Sequence, residues 1–394
     1  MNFILFVILV FFIAYAVGYM FNKLKLPRLL GYLLVGLVIG NFFDYDYMVN
    51  DTIVKFVTSF ALSIILLKAG LGIEKAIIKK IGIRVILLGT IPNIIEAIVL
   101  TALSYYFLQF GIYEAFMFGF IISAVSPAVV IPSMTKLMDE GYDKEVTTLN
   151  LAATSFDDVV SLTMFSVFLA LYLGNGNTTT LLLLAPLNII LGGIVGAVIG
   201  YMLGRLLKST TNIKIQIIQF VLVVGISLII KQYGSYIFII EMIAIMTLGY
   251  YINDTNKSLG IYLKKYTNTV WNYAQVFLFF IIGFLADLSL IGDYLLIGIG
   301  FIFLGLLGRT IGVIISLYKS DFTPSQKTFS IIGNMPKATV QAVLGAVPLS
   351  YSIANGDIIL SLSALSIILT APIGLLLIEI FSAKLLKQEP LKSN

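Results

Sequence analysis

The chain has 394 residues, of which 59% are hydrophobic and only 11% are charged. About a quarter of the residues of a soluble domain are charged, so this composition excludes a soluble protein and indicates an integral membrane protein. Histidine and cysteine are absent, which excludes disulfides, thiol chemistry, and catalysis or metal ligation by histidine. We expect no enzyme and no cofactor.

Thirteen apolar stretches are candidates for membrane spans, each of which needs roughly 20 residues. They cover 2–21, 29–43, 52–68, 85–109, 115–134, 147–173, 181–204, 215–231, 236–252, 270–288, 292–318, 328–351 and 357–381. The longest predicted connection, about 252–269, is too short for a soluble domain. The sequence therefore predicts an all-α polytopic membrane protein.

The basic residues predict the orientation of these spans. With the N-terminus outside, the inside loops hold 21 lysines and arginines, and the outside loops hold only Lys231. Cytoplasmic loops are enriched in positive charge, so the sequence predicts an N-out, C-in topology. The net charge of +5 is spread over these short loops, which fits a membrane protein better than nucleic-acid binding.

Ionisable residues within spans are costly at membrane depth and are therefore candidates for function. Asp157 and Asp158 lie near the middle of span 6, where low dielectric and mutual repulsion disfavour two uncompensated negative charges. Such a pair would bind a proton or a metal cation and exchange one for the other. Arg309, deep in span 11, stays protonated and needs an acid. Glu96 in span 4 is the acid left over, so we predict a buried Glu96–Arg309 pair.

Proline and polar residues interrupt two spans. Span 5 contains Pro127 and Pro132, and span 12 contains Pro336 followed by Lys337. Such breaks are tolerated in membranes where the freed backbone lines a site. Pro336 follows Pro127 by 209 residues, and this offset predicts that spans 1–6 and 8–13 are inverted copies joined by span 7. Two broken helices crossing at the midplane are typical of secondary transporters.

Lys337 follows the second break directly, and its role is open between two possibilities. It would neutralise the carbonyl end of the first half-helix, or it would serve as a counter-charge to Asp157 and Asp158 in the cation-free state.

Four sequence motifs run across most of the chain. They are AVSPAVVIPSM at 124–134, SFDD at 155–158, MPKATVQA at 335–342 and TAPIG at 370–374. Together they resemble the cation/proton antiporter superfamily and, more narrowly, its NHA branch, the bacterial relatives of the animal NHA-type sodium/proton exchangers.

The resemblance implies roles for individual residues. It assigns main ion and proton binding to Asp158, with Asp157 assisting, and supporting charges to Glu96, Arg309 and Lys337. It also implies a homodimer. Better-known bacterial antiporters carry lysine where Arg309 stands, and many electroneutral exchangers carry asparagine where Asp157 stands, so the proton stoichiometry stays open.

The mechanism expected on this basis is exchange of Na⁺ or Li⁺ for protons. Asp158 and Asp157 would hold the dehydrated cation, and Thr154, the Ser126 hydroxyl and the Val125 carbonyl would complete an oxygen shell suited to a hard cation. Protons would occupy the same carboxylates in the other phase of the cycle. Competition for one site would couple the two fluxes.

The expected division of labour follows the repeat. Residues 1–84 and 211–290 would form the scaffold and dimerisation helices, 85–173 and 291–382 the moving ion-transporting core, 174–210 the linking span, and 383–394 a cytoplasmic tail. The partners would be the lipid bilayer, a monovalent cation and protons, in a bacterial cytoplasmic (inner) membrane.

Other functions fit parts of the pattern. A potassium/proton antiporter differs only in its cation. A sodium-coupled organic-anion symporter would need an anion site, for which Lys337 is the spare deep cation. A cation channel does not require an occluded carboxylate pair. An intramembrane aspartyl protease takes its aspartates from different helices, whereas Asp157 and Asp158 are adjacent and point about 100° apart.

Overall fold

The computed structural model describes residues 3–24, 26–43, 51–72, 82–174, 178–234 and 241–387. Within these ranges the chain is helical, without strands. The helices are α1 (Phe3–Lys23), α2 (Arg28–Phe42), α3 (Asp51–Gly72), α4 (Ile83–Phe107), α5 (Ile112–Ser123), α6 (Pro127–Asp139), α7 (Lys144–Leu173), α8 (Thr178–Leu206), α9 (Ile213–Tyr233), α10 (Glu241–Thr255), α11 (Lys257–Leu285), α12 (Leu288–Asp293), α13 (Leu295–Ser316), α14 (Pro324–Gly333), α15 (Thr339–Gly345), α16 (Val347–Ser350) and α17 (Gly356–Leu385).

These helices form an all-helical polytopic membrane fold. In the described ranges, eight helical segments are long and apolar enough to cross a membrane. Each predicted span overlaps one helix or one broken series of helices. The predicted inside loop with Lys75, Lys79 and Lys80, and the end of the predicted tail, 388–394, lie outside the described residues.

The largest boundary error concerns the predicted connection at 252–269. The structure continues α11 back to Lys257, so this connection is helical. The Asn256 side chain accepts a hydrogen bond from the Leu259 amide (3.1 Å), an N-terminal cap. The buried residues follow helical spacing, while the lysines lie between them. This buried face comprises Leu259, Tyr262, Leu263 and Thr267.

Helix boundaries in the two halves of the chain share a common offset, which differs from the value predicted from the two prolines. Four helices of the second half begin 212 residues after their counterparts, at Ile83 and Leu295, Ile112 and Pro324, Pro127 and Thr339, and Lys144 and Gly356. The predicted value of 209 is three residues short. Pro127 is the first residue of α6, whereas Pro336 lies three residues before α15.

The described chain divides into two compact units. The first lies within Met1–Val54, Ile77–Leu162 and Val276–Asn394, and the second within Lys55–Ala76 and Thr163–Gln275. All candidate site residues belong to the first unit.

Glycines allow the close helix packing around α4 in the first unit. A Cβ atom on Gly89 would lie 2.5 Å from the Ala153 carbonyl on α7. One on Gly312 of α13 would lie 2.4 Å from Pro92 Cα. Real Cβ contacts are longer, so both positions require glycine for α4 to approach α7 and α13. The three helices share a buried apolar cluster of Val85, Leu88, Leu149, Ala153, Val313 and Leu317.

Candidate functional site

The two broken helices meet at their interruptions. The first break separates α5 from α6 at residues 124–126, and the second separates α14 from α15 at 334–338. Ser126 is extended (φ −87°, ψ 110°), as expected of a residue that precedes proline. Its amide donates to the Pro336 carbonyl at 2.8 Å. Polar backbone atoms freed by one break are thus satisfied by the other.

Each break is also tied to the long helix that follows it in the repeat. The Val125 amide donates to Asp157 Oδ2 on α7 (2.7 Å), and the Lys337 amide donates to Thr370 Oγ1 on α17 (2.9 Å). Val125 and Lys337 are 212 residues apart, as are Asp158 and Thr370. At this offset the second copy carries a hydroxyl, Thr370, in place of the Asp158 carboxylate, and Leu369 in place of Asp157.

Four buried charges from different parts of the fold form one cluster, named here the charge cluster. Arg309 Nε contacts Glu96 Oε2, Arg309 NH1 lies 3.0 Å from Asp157 Oδ1, and Lys337 Nζ lies 2.7 Å from Glu96 Oε2. All four side chains are at most 1% exposed. The structure brings the predicted Glu96–Arg309 pair together and adds Asp157 and Lys337. Two positive and two negative charges give a neutral sum.

The second half of the chain satisfies the carbonyl end of α5. The last carbonyls of a helix have no partner within it, and this end carries partial negative charge. Arg309 NH2 contacts the Ser123 carbonyl, and Lys337 Nζ donates to the same oxygen at 2.8 Å. The Lys337 side chain therefore reaches the carbonyl end of α5, which belongs to the other broken span. The counter-charge that Lys337 contacts is Glu96.

Gln341 is a site residue that sequence reasoning did not single out. Its Nε2 donates to the carbonyls of Ile121 (2.9 Å), Ile122 (3.2 Å) and Ala124 (2.7 Å). The side chain is fully buried on α15. The only sequence signal is one amide within an apolar run, TVQAVLGAV, and this signal does not distinguish a helix clamp from any other polar contact.

Replacing Gln341 by leucine should loosen the crossing. Gln341→Leu keeps the approximate volume but removes the donor from three buried carbonyls, and unsatisfied buried polar groups cost about 1–3 kcal/mol. We expect that loss in the free energy of unfolding, measured by thermal or denaturant unfolding in detergent. Gln275→Leu is the control, since the half-buried Gln275 side chain donates to one carbonyl among the described residues, Asn272 O at 3.4 Å. Equal stability of the two variants would contradict the clamp.

Asp157 is held by hydrogen bonds on both carboxylate oxygens. Oδ1 accepts from Arg309 NH1 and NH2 (3.0 and 3.1 Å). Oδ2 accepts from the Val125 amide and from Asn93 Nδ2 (2.7 and 3.0 Å). Asn93 also donates to Ser161 Oγ (2.7 Å). Sequence reasoning missed Asn93, a neutral residue in an apolar helix. In this conformation Asp157 joins the charge cluster to the first break.

Asp158 and the predicted hydroxyl ligands are buried. Asp158 is 3% exposed and Thr154, one turn earlier on α7, is 1% exposed. The Thr154 hydroxyl donates to the Asn150 carbonyl at 2.8 Å. Ser126 Oγ is buried and makes no hydrogen bond within the described part of the chain. Carboxylate, hydroxyl and carbonyl oxygens are the donors that hard cations take, so these residue types fit a small monovalent cation.

Comparison with known proteins agrees with this architecture. A family model described as the transmembrane sodium/hydrogen exchanger matches residues 7–383. Human sodium/hydrogen exchanger 9B2 is 30% identical over an alignment of 408 positions, gaps included, which covers 97% of this chain and 75% of that protein. Human sodium/hydrogen exchanger 9B1 is 28% identical over 375 residues, which cover 92% and 73%.

A solved structure with a similar fold is the sodium proton antiporter MjNhaP1 from Methanocaldococcus jannaschii at pH 8. The TM-score is 0.79 at 20% sequence identity, and the match covers 97% of this chain and 98% of that one. The predicted resemblance to the cation/proton antiporter superfamily is thus confirmed. The chain belongs to the transmembrane sodium/hydrogen exchanger family.

Proposed function

We propose that the protein is a secondary active antiporter that exchanges Na⁺ or Li⁺ for protons by alternating access. The observation that carries the proposal is the burial of Asp158 (3% exposed) beside a charge cluster whose own charges sum to zero. An ionised Asp158 makes the sum of the five groups −1. One bound Na⁺, Li⁺ or proton restores neutrality, and isolated charge is costly at this depth.

Coupling follows from competition for Asp158. A cation and a proton cannot both neutralise one carboxylate, so the site carries one or the other across the membrane. Thr154, Ser126 and the Val125 carbonyl supply further oxygens to the cation. Asp157 assists by holding the Val125 amide and Arg309, which fixes the break that presents Val125 and Ser126.

The charge cluster holds helices from both halves of the chain together. It joins α4, α7, α13 and the segment between α14 and α15, and with Gln341 it fastens α5. We propose that 85–173 and 291–382 move together against the scaffold helices of 1–84 and 211–290. Residues 174–210 link the halves, and 383–394 form the tail.

We also propose a topology, a membrane location and an oligomeric state. The thirteen spans run N-out, C-in in a bacterial cytoplasmic membrane, and the protein is a homodimer. The organic-anion symporter is disfavoured, because an anion site would need Lys337 as its cation. Lys337 Nζ instead bonds Glu96 and the Ser123 carbonyl. Potassium/proton exchange is the alternative, and comparing the responses to NaCl, LiCl and KCl distinguishes it from the proposed function.

Everted membrane vesicles holding a pH gradient test this function. Addition of NaCl or LiCl should collapse the gradient reported by a pH-sensitive dye, whereas KCl should not. The double variant Asp157→Asn/Asp158→Asn should show no response to any salt. A response to KCl alone would favour the potassium alternative. No response of the wild type to the three salts between about pH 6 and 9 would overturn the proposal, since a carboxylate site should exchange somewhere in that range.

A further inference from the structure

A second buried polar cluster lies on α7, two turns before Asp158. It consists of Asn150 on α7 with Ser330 and Asn334 at the end of α14, and is named here the asparagine cluster. Asn150 Nδ2 donates to Ser330 Oγ at 3.1 Å, and Asn334 Nδ2 donates to Asn150 Oδ1 at 2.9 Å. All three residues are at most 2% exposed. The cluster contains neutral groups and shares no residue with the charge cluster.

One oxygen of the asparagine cluster has no hydrogen-bond partner among the described residues. Asn334 Nδ2 donates to both Asn150 Oδ1 and the Ser330 carbonyl (2.9 and 2.8 Å), which fixes the amide orientation. The opposite atom, Asn334 Oδ1, is buried and accepts no hydrogen bond from the described residues. Leaving a buried acceptor unsatisfied costs about 1–3 kcal/mol. A ligand that offers positive charge or a proton would recover this cost.

The asparagine cluster is connected to the proposed ion site along one helix face. Asn150, Thr154 and Asp158 are spaced by four residues, so their side chains follow one another on α7. The Thr154 hydroxyl donates to the Asn150 carbonyl. With a rise of 1.5 Å per residue, Asn150 lies about 12 Å from Asp158 along the axis, and Thr154 lies halfway at about 6 Å.

Apolar residues surround the asparagine cluster on its own helices, so few other polar groups are available to its oxygens. Nine buried hydrophobic residues from the first break, from α6, α7 and α14, and from the C-terminal end of α17 pack into one core. They are Val125, Val130, Met134, Leu137, Val146, Phe329, Ile332, Ile378 and Leu386. Val146, one turn before Asn150 on α7, and Phe329 and Ile332, close to Ser330 on α14, belong to this core. The cluster is therefore a polar patch within an apolar wall.

We propose that the asparagine cluster is a staging site for the transported monovalent cation, on the path between the N-terminal end of α7 and Asp158. Asn334 Oδ1 binds the cation first, and Thr154 passes it on to Asp158. Neutral amide and hydroxyl oxygens suit a hard cation and bind it weakly, as a transit site requires. The inference rests on the proposed antiport and on the proposed inside location of that helix end.

The test compares cation affinity from the two membrane faces. The apparent KM for Na⁺ is measured in everted and in right-side-out vesicles, which present the inner and outer faces. Asn334→Leu should raise the inner-face KM by about tenfold, the equivalent of one ligand interaction, and leave the outer-face KM unchanged within about twofold. Ser330→Ala, a milder change, should raise the inner-face KM alone by a few-fold.

The Asn334→Asp variant distinguishes a cation-binding role of Asn334 from a purely structural one. Asn334→Asp loses the Nδ2 donor as leucine does, so a merely structural amide predicts the same defect in both variants. A staging site predicts a lower inner-face KM for Asn334→Asp, because a carboxylate binds Na⁺ more tightly than an amide.

The matched controls are Ser316→Ala and Asn256→Leu. Ser316 is a buried serine on α13 whose Oγ bonds backbone carbonyls, and the Asn256 side chain bonds two carbonyls elsewhere in the chain. Both should keep the wild-type KM on each face. A wild type without exchange would overturn the antiport itself. Exchange with an unchanged inner-face KM in Asn334→Leu and Ser330→Ala, or equal KM changes on both faces, would overturn the staging site alone.

Discussion

Asp158→Asn is expected to reduce cation-driven proton release to the level of vesicles without the protein. Asparagine has nearly the same shape as aspartate but never ionises, so it can neither release a proton nor neutralise a cation. Four hydrogen bonds to Asp157 and the contacts of the charge cluster stay in place. We therefore expect wild-type yield and an unfolding temperature near that of the wild type, measured in detergent alongside transport in proteoliposomes.

The control for this variant is another buried carboxylate in the same compact unit. Glu114 on α5 is 6% exposed, accepts from the Gly111 amide (3.1 Å) and bonds Asn355 Nδ2 (2.8 Å). Glu114→Gln should keep Na⁺-dependent exchange, since this group caps a helix away from the crossing. Full Na⁺-dependent exchange by Asp158→Asn would contradict a mechanism in which cation and proton compete for Asp158. Equal loss in both variants would show only that buried acids are needed for folding.

The all-helical membrane fold and the two helix breaks could be predicted from the sequence, because hydropathy specifies the first and proline the second. Long apolar runs force helices in a membrane, and Pro127 and Pro336 mark the breaks that the structure shows at 124–126 and 334–338. The amphipathic start of α11 was missed because lysines in a polar stretch look like a loop. Their helical spacing becomes decisive only once a buried face is present to receive Leu259 and Leu263.

The site was predictable where charge arithmetic applies. Arg309 must have an acid at depth, and Glu96 was the acid left over; the structure places them in contact. Charge counting cannot reveal that Asp157 shares the same guanidinium, because this depends on how α7 approaches α13. Neutral residues carry no such constraint. Asn93 and Gln341 were missed, since a single amide in an apolar run looks the same in the sequence whether it bonds a helix end or a neighbouring side chain.

Arg309→Gln should cause the largest loss of stability of any change considered. The guanidinium contacts Glu96, Asp157 and the Ser123 carbonyl, and no other side chain can offer this fork of donors. Its removal leaves buried acids short of positive charge, and breaking a buried pair in this way costs about 3–5 kcal/mol. The free energy of unfolding in detergent is the measurement. Arg84→Gln, at the more exposed start of α4 where Arg84 bonds the Ser316 and Lys319 carbonyls, should cost much less.

A double-mutant cycle shows whether this loss arises from the stranded carboxylate. Glu96→Gln alone leaves Arg309 and Lys337 with fewer negative partners, and Arg309→Gln alone leaves Glu96 and Asp157 with Lys337 only. The double variant removes one charge of each sign and keeps the sum of the cluster at zero. Its destabilisation should therefore be smaller than the sum of the single losses by about 0.5–3 kcal/mol, the range for residues in direct contact. Additive losses would mean that Glu96 and Arg309 act independently, and the charge cluster would then owe its stability to packing rather than to ion pairing.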